Sequence, residues 1–372
     1  MAQPITFPRP TFAKLSPHPF LLANLQPADP AAASPARTNG RAPREARPVN
    51  VNAGSLSHAH GSAVVRAGDT TVICGVRTEV LPIANIPNYR VPPPRPDDDD
   101  DGDDDGEAGQ KEEEEEGGRN ELRDYDLVVP NIELATGSAP QFLPGVPPTT
   151  LAQTLSSRVY SLLHASGLLN VADLRIWDEG SNSNSKPGEN EEMGEADDGM
   201  EQKPQVKAYW VLYIDVLFIS FDGNPFDVAW TAVVAALRDT RLPRAVWDAE
   251  REAAVCSRAD GSPGRPLSVR GLPVACTAAV FRGKDDPDAA SGDGQYWVLL
   301  DPDRLEESLC DEFVTVVVDR SVGADCGQEG EARIQSMLKA GGTAAGLDFI
   351  GRLVEVAETR WRDVRDAINT KA

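Results

Sequence analysis

Few side chains in this sequence have the type and spacing to do chemistry, and they are scattered. Asp215 lies within the run Tyr209–Phe221, and Asp222 follows in the turn Asp222-Gly223-Asn224-Pro225-Phe226. Carboxylates beside a tight turn can serve as a general acid if cations stand near enough to offset the charge they meet. Set against that, Asp222 reads as a turn residue accepting backbone hydrogen bonds, and Asp215 as a buried structural carboxylate in an apolar strand. His58 and His60 lie two apart, as on one strand face, which suits a metal pair, but no Cys or acid stands at a matching spacing. The five cysteines include no Cys-x-x-Cys pair, so neither a zinc ribbon nor a disulfide framework is supported; Cys74 and Cys276 read as small core residues. Gly117-Gly118 and Gly341-Gly342 lack the Gly-Lys-Ser/Thr of a phosphate loop, which argues against a small-molecule phosphate enzyme. The expectation is no metal and no cofactor.

The elements that must position these residues centre on Lys207–Pro243. From Tyr209 to Phe221 both alternating faces are apolar, which predicts a central strand covered on both sides. Gly223 and Asn224 tolerate the positive φ of a tight turn. After Pro225, Phe226, Trp230, Val233, Val234 and Leu237 recur at helical steps, and alanines between them allow close packing. Upstream, segments 47–51, 61–66 and 70–76 predict a three-stranded meander with a hairpin at Gly68-Asp69. Asp126–Glu133 predicts a strand, Thr149–Leu163 a helix, and Val171–Trp177 a strand entry. Downstream, 269–281 predicts a strand pair, Tyr296–Leu300 and Phe313–Val318 strands, and 347–368 a long helix. Residues 1–36, rich in Pro and Ala, read as a loosely docked extension with a short helix at 19–25.

Charge is unevenly spread. Asp97–Asp124 holds sixteen acids against three basic residues, and Asp178–Lys207 nine against three, so these tracts carry most of the net charge of −23. Such segments bury no apolar surface and repel themselves, so insertions at 92–124 and 179–206 are expected to be disordered. They interrupt a first half, 37–256, and precede a second, 257–372. Each half reads as strands followed by a long helix, giving an α+β unit of two similar packed halves. No apolar run is long enough for a membrane span and no signal core is present, so an intracellular setting is expected.

Several motifs, taken in order, resemble one family. Arg37-Thr-Asn-Gly-Arg41, Gly61-Ser62-Ala63 followed by Gly68-Asp69-Thr70, Asp215 with Phe221-Asp222-Gly223-Asn224, and Asp301-Pro302 followed by Glu306-Glu307 are similar to segments of RNase PH-like proteins. Phe12–Leu25 and Val128-Val-Pro-Asn131 draw the likeness toward ring subunits of the eukaryotic RNA exosome. The resemblance implies an RNase PH-like fold of the ribosomal protein S5 domain 2-like kind. It implies a six-membered ring with other RNase PH-like chains, S1/KH-type cap subunits, a separate nuclease, and single-stranded RNA passing through. It implies residence in nucleus, nucleolus and cytoplasm, and a part in ribosomal RNA maturation and RNA turnover.

Active relatives are expected to carry a Gly-Thr/Ser-Arg type loop after the Asp-Gly turn and arginines leading into the first long helix. Here Asn224, Pro225 and Phe226 fill the loop, no cation follows before Arg238, and 126–157 contains no Lys or Arg. Phosphorolysis brings two anions together, and at about 4 Å and an effective dielectric of about 20 each uncompensated like-charge pair costs roughly 4 kcal/mol. The turn therefore reads as degenerate, the chain as a non-catalytic structural subunit, and Arg66, Arg77 and Arg90, placed near strand ends, as candidate RNA contacts. The alternative is an active phosphate-dependent 3′-exoribonuclease that takes its cations from a partner subunit.

Overall fold

The computed structural model describes residues 8–27, 34–92, 117–145, 147–178, 204–248, 250–256, 264–283, 296–321, 330–342 and 347–370. β1 (Val49–Ala53), β2 (Gly61–Ala67) and β3 (Thr70–Pro82) form the expected meander, turning at Gly68, whose φ of +58° suits glycine. β3 pairs antiparallel with β6 (Gln205–Ser220), and β6 pairs in parallel with β4 (Val128–Leu134). β5 (Arg175–Asp178) joins the start of β6. β6 is thus the central strand of a six-stranded sheet.

One face of β6, from Val206 through Ile214 to Phe218, is buried throughout. The other does not meet the expectation of full cover. Tyr209 and Val211 are buried, Tyr213 and Leu217 half-buried, and Ile219 is 47% exposed. The helix after the turn, which packs on Ala63, Val65 and Cys74, takes the first face. The second face receives Leu56 over Gly75 and, at its far end, the rings of Tyr89 and Tyr125 against Tyr209. Hydrophobicity says that a face wants cover, not that the same chain supplies it.

The second sheet is antiparallel, in the order β12 (Tyr296–Leu300), β11 (Val274–Arg282), β13 (Glu312–Asp319), β14 (Arg333–Ala340). Segment 269–281 thus supplies one strand rather than the expected pair. α5 (Pro225–Asp239) lies between the sheets, and every residue from Pro225 to Leu237 is buried. Ala275 and Thr277 face it from the second sheet, and Trp230 Nε1 donates to the Pro273 carbonyl at 2.8 Å. α7 (Leu347–Asn369) covers the opposite face of that sheet, with Leu353 and Ala357 against Cys276, Ala278 and Val316. The arrangement is α+β, as expected.

Two expectations need correction. The N-terminal extension is not loosely docked: α1 (Arg9–Leu15) leads into α2 (Pro17–Leu25), whose Leu21 and Leu25 are buried among Phe281, Leu299 and Cys310. Its apolar cluster covers the far end of the sheet face on which α5 lies, where Ala279 and Phe281 continue the row of Ala275 and Thr277. The insertion boundaries also shift. Residues 93–116 and 179–203 lie outside the described residues, but 117–124 form a helix, α3, with Leu122 buried. Glu121 there pairs with Arg175 at 2.7 Å and accepts from the Tyr209 hydroxyl at 3.2 Å. An apolar residue within a charge run can anchor the end of that run. Likewise Gln205 and Val206 belong to β6.

Docking of α2 gives a direct test. Leu21→Ala should cost about 3 kcal/mol, the usual range for a fully buried leucine, read by denaturant titration of the chain in its smallest stable assembly.

Candidate functional site

The turn after β6 is built by glycine and asparagine for steric reasons. Gly223 has φ +78°, and a Cβ there would run into the backbone of Asp303 and Arg304. Asn224 has φ +46° and starts α5. Its backbone N–H donates to Glu307 Oε1 at 2.7 Å, and its Nδ2 donates to Asp227 and to Asp301 at 2.8 and 2.7 Å. The turn is therefore seated on α6 (Arg304–Leu309). Asp303 and Glu306 form a capping box at the start of α6.

Arg47 and Asp301 lie at the centre. Asp301 accepts from the backbone N–H, Nε and Nη2 of Arg47, at 2.8, 2.8 and 2.7 Å. The remaining donors of Arg47 reach the carbonyls of Asp222 and Gly223 at 2.8 and 3.3 Å. Burial opposes ionisation of Asp301, but the bonds and charge of Arg47 outweigh it and hold the carboxyl well below the usual range. Beside this pair, buried Arg37 donates through Nε to Glu306 at 2.7 Å and through Nη1 to the Leu300 carbonyl at 2.6 Å. Asp227, buried on α5, accepts from the N–H and hydroxyl of Thr277 at 2.8 and 2.7 Å; burial raises its pKa.

Every sequence-derived candidate has a definite place. Asp222 is partly exposed and sits 3.7 Å from Arg47 Nη1. Burial and then the charge of Asp303 raise its pKa, and Arg47 opposes them. The expectation that Asp222 has no compensating cation is therefore wrong; Arg47 comes from a distant segment. Asp215 is not buried. It is exposed and accepts from Asn131 Nδ2 at 3.1 Å, on the face of β6 that α5 does not cover. It lies on the order of 20 Å along the strand from Asp222, so the two do not form a pair. His58 is exposed, and His60 Nδ1 accepts from the Thr78 N–H at 3.1 Å; both lie in a loop rather than on a strand. No grouping suited to a metal occurs among the described residues. Arg66 and Arg77 are exposed on one face of the first sheet but about 20 Å apart, and Arg90 lies elsewhere, near Asp124. The three do not form one patch.

Pro225 stands at the first turn of α5 and Phe226 lies beneath Arg158, whose guanidinium is 3.8 Å from the ring centroid. Burial lowers the Arg158 pKa. A helix N-terminus with arginines nearby is a natural anion site. Here the first N–H meets Glu307, Arg47 is spent on Asp301, and five carboxylates (Asp222, Asp227, Asp301, Asp303, Glu307) gather around the turn. Arg47, Arg158, Asp301 and Glu307 carried no roles in the sequence reading. Asp301 and Glu307 entered it only as motif positions, and Asp227, an acid inside an otherwise apolar helix, was a further legible sign.

The profile described as the 3′ exoribonuclease family, domain 1 (RNase PH), matches residues 45–98 and 106–243, just over half of the chain. The chain belongs to the RNase PH family. Among curated proteins it is similar to the exosome complex component rrp43 of Schizosaccharomyces pombe, 27% identical over 96% of this chain and 97% of that protein. It is also similar to the exosome complex component Rrp42 of Methanopyrus kandleri, 28% identical over 79% and 80%. Among solved structures, the Archaeoglobus fulgidus exosome with RNA bound to the active site aligns with a TM-score of 0.58 at 22% identity, over 94% of this chain and 96% of that one. An archaeal exosome core aligns at 0.55 and 21% identity, over 98% and 100%. These two share the fold. The resemblance to exosome ring subunits read from Phe12–Leu25 and Val128–Asn131 is borne out, and it is of the rrp43 type.

Three outcomes follow from this geometry. Arg47→Met strips the partner from a buried carboxylate and should cost about 3–5 kcal/mol. Asp215→Asn on the open face should stay within about 0.5 kcal/mol; both are read by denaturant titration. Burial pushes the Glu307 carboxyl up to about 7, against the Asn224 N–H that favours the charged form. The folded state then holds a proton that the unfolded chain releases near the ordinary glutamate value, so stability should fall as pH rises from about 4.5 to 7. Glu307→Gln should flatten that slope and raise the melting midpoint at pH 8, leaving it unchanged at pH 5, in melts across the range.

Proposed function

We propose that this protein is a non-catalytic structural subunit of the RNA exosome ring, of the rrp43 type. The observation that carries the reading is the state of the α5 N-terminus. Where a phosphate would need free amides and cations, Glu307 already accepts from Asn224, and Arg47 is fully engaged by Asp301. An entering anion would meet carboxyl groups that are already buried and hydrogen-bonded and would have to displace them from their donors. The expected site residues, Asp222 through Phe226, then serve to seat α5 on α6.

On this reading the chain works through its surfaces. The open face of the first sheet presents Ile73, Tyr213, Leu217 and Ile219, with Asp215 among them and Arg66 and Arg77 beside them, a mixed apolar and charged surface of the kind interfaces use. RNase PH-like neighbours would complete the six-membered ring, with S1/KH-type caps above and a separate nuclease acting on the RNA that the ring guides. The subunit would then support ribosomal RNA maturation and RNA turnover in nucleus, nucleolus and cytoplasm. Arg66, Arg77 and Arg90 remain candidate contacts to RNA phosphates, acting singly rather than as a patch.

The test is phosphate-dependent shortening of single-stranded RNA. The purified chain should release no nucleoside diphosphate, and Asp222→Asn should leave degradation by the reconstituted complex unchanged. Loss of phosphate-dependent cleavage in an intact Asp222→Asn assembly would instead establish an active site whose cations come from a neighbouring chain.

A further inference from the structure

β2 runs out before β3 does. Their pairing ends at Gly61 and Val76, while β3 continues to Pro82. Backbone groups alternate along a strand, so Thr78 turns its N–H to the same side as Val76, past the end of β2. The His60 ring stands there in place of a strand. Its Nδ1 accepts from the Thr78 N–H at 3.1 Å and lies 3.2 Å from the Thr78 hydroxyl. A backbone N–H cannot turn away, so Nδ1 must carry a lone pair and the ring proton sits on Nε2. Thr78 is buried, which makes an unmet N–H at this position costly.

His60 also closes the loop 54–60, which joins β1 to β2. At its base the Gly54 N–H donates to the Ser62 carbonyl and the Leu56 N–H to Ser62 Oγ, both at 2.9 Å. At its other end the His60 N–H donates to the Val76 carbonyl at 2.8 Å, and the His60 carbonyl accepts from the Arg241 N–H at 2.9 Å. Between these ties the loop lies across β3. Leu56 and Ala59 stand over Gly75, where a Cβ would come within 3.3 and 3.9 Å of them. Gly75 pairs with Asp215 of β6, on the face that α5 does not cover. The loop is thus a flap on the strip from Gly75 to Asp215, and the absence of a side chain at Gly75 gives Leu56 its seat.

A proton on Nδ1 would set one N–H against another. The Thr78 hydroxyl can rotate to accept from it, but the backbone N–H would lose its acceptor. Burial lowers the His60 pKa. The charged groups on the elements packed around it do not offset that effect. Asp239, at the end of α5, accepts from the Ser62 N–H at 3.0 Å. Arg77 and Glu79 of β3 pair with each other at 3.5 Å, and Arg241 and His58 are exposed. We propose that His60 is an acid-sensitive latch: neutral, it pins the loop 54–60 across Gly75 and Asp215; protonated, it lets the loop swing about its ties to Ser62 and uncovers that strip of the sheet. This goes beyond the scaffold role and does not depend on it. The closed loop holds the proton less well than the open one. Closure is therefore complete above the ordinary histidine value of about 6.5 and weakens as pH falls through it.

The experiment is hydrogen exchange read by mass spectrometry on the full chain in its smallest stable assembly. It runs between about pH 7.5 and about pH 5.5, with rates corrected for the intrinsic pH dependence of amide exchange. Peptides covering the loop 54–60 and Thr78 should lose about tenfold in protection across that range, while β6 keeps its own. His60→Asn places an oxygen where Nδ1 stood, an acceptor that does not titrate, and should abolish the pH dependence. His60→Leu should also abolish it, with protection low throughout. His58→Gln, at an exposed neighbouring position, should follow the wild type. Protection of the loop that is indifferent to pH in the wild type, a fall of the same size in His60→Asn, or a fall shared equally by β6 would each overturn the proposal.

Discussion

The carboxylate of Asp301 accepts from three donors of Arg47 and from Asn224 Nδ2, and it does so out of water. Either charge alone at that depth would be prohibitive, so each requires the other. Arg47 precedes β1 of the first sheet, Asp301 follows β12 of the second, and Asn224 opens the helix between them. Arg360 of α7 adds a bond to the Arg47 carbonyl at 2.7 Å. Arg37 and Glu306 repeat the device one layer away, with Glu306 also closing the capping box of α6. Such pairs add little net stability over apolar packing, but they tolerate no slippage. They fix how sheet, helix and sheet meet.

The same pairing bears on chemistry. A turn of Asp-Gly-Asn at the mouth of a helix, with arginines near, has the parts of an anion site. What decides whether it acts as one is whether those parts are free. Here Glu307 occupies the helix end and Asp301 occupies Arg47. Phe226 takes the place beneath Arg158, where its ring holds the guanidinium by a cation–π contact. On the proposed reading, carboxyl groups of the chain itself hold the positions at the helix end and beside Arg47 that an anion would take.

Two surfaces formed by the described residues stand open in different ways. Among the described residues the first sheet leaves one face partly open, centred on Tyr213, Leu217 and Ile219. Among the described residues the second sheet ends at β12, where the backbone groups of Tyr296 and Val298 face away from β11. A face calls for a broad packed surface, an edge for a single strand.

Local pattern in the sequence determined much. The meander through Gly68, the strand Tyr209–Phe221, the helical repeat from Phe226 to Leu237 and the C-terminal helix are all set by spacing of two or between three and four, which the backbone reads locally. The order of weak motifs determined the family. The sequence could not show that Asp222 faces Arg47, 175 residues away, because a charge pair has no periodicity and its partners are joined only by folding. Nor could it show that Asp215 is exposed. An apolar strand looks the same whether its own helix or another molecule covers it, and tertiary packing spent α5 on one face and left the other open. The edge of β12 was hidden for the same reason: which strand ends a sheet depends on the order of strands in space, and no stretch of sequence contains that order.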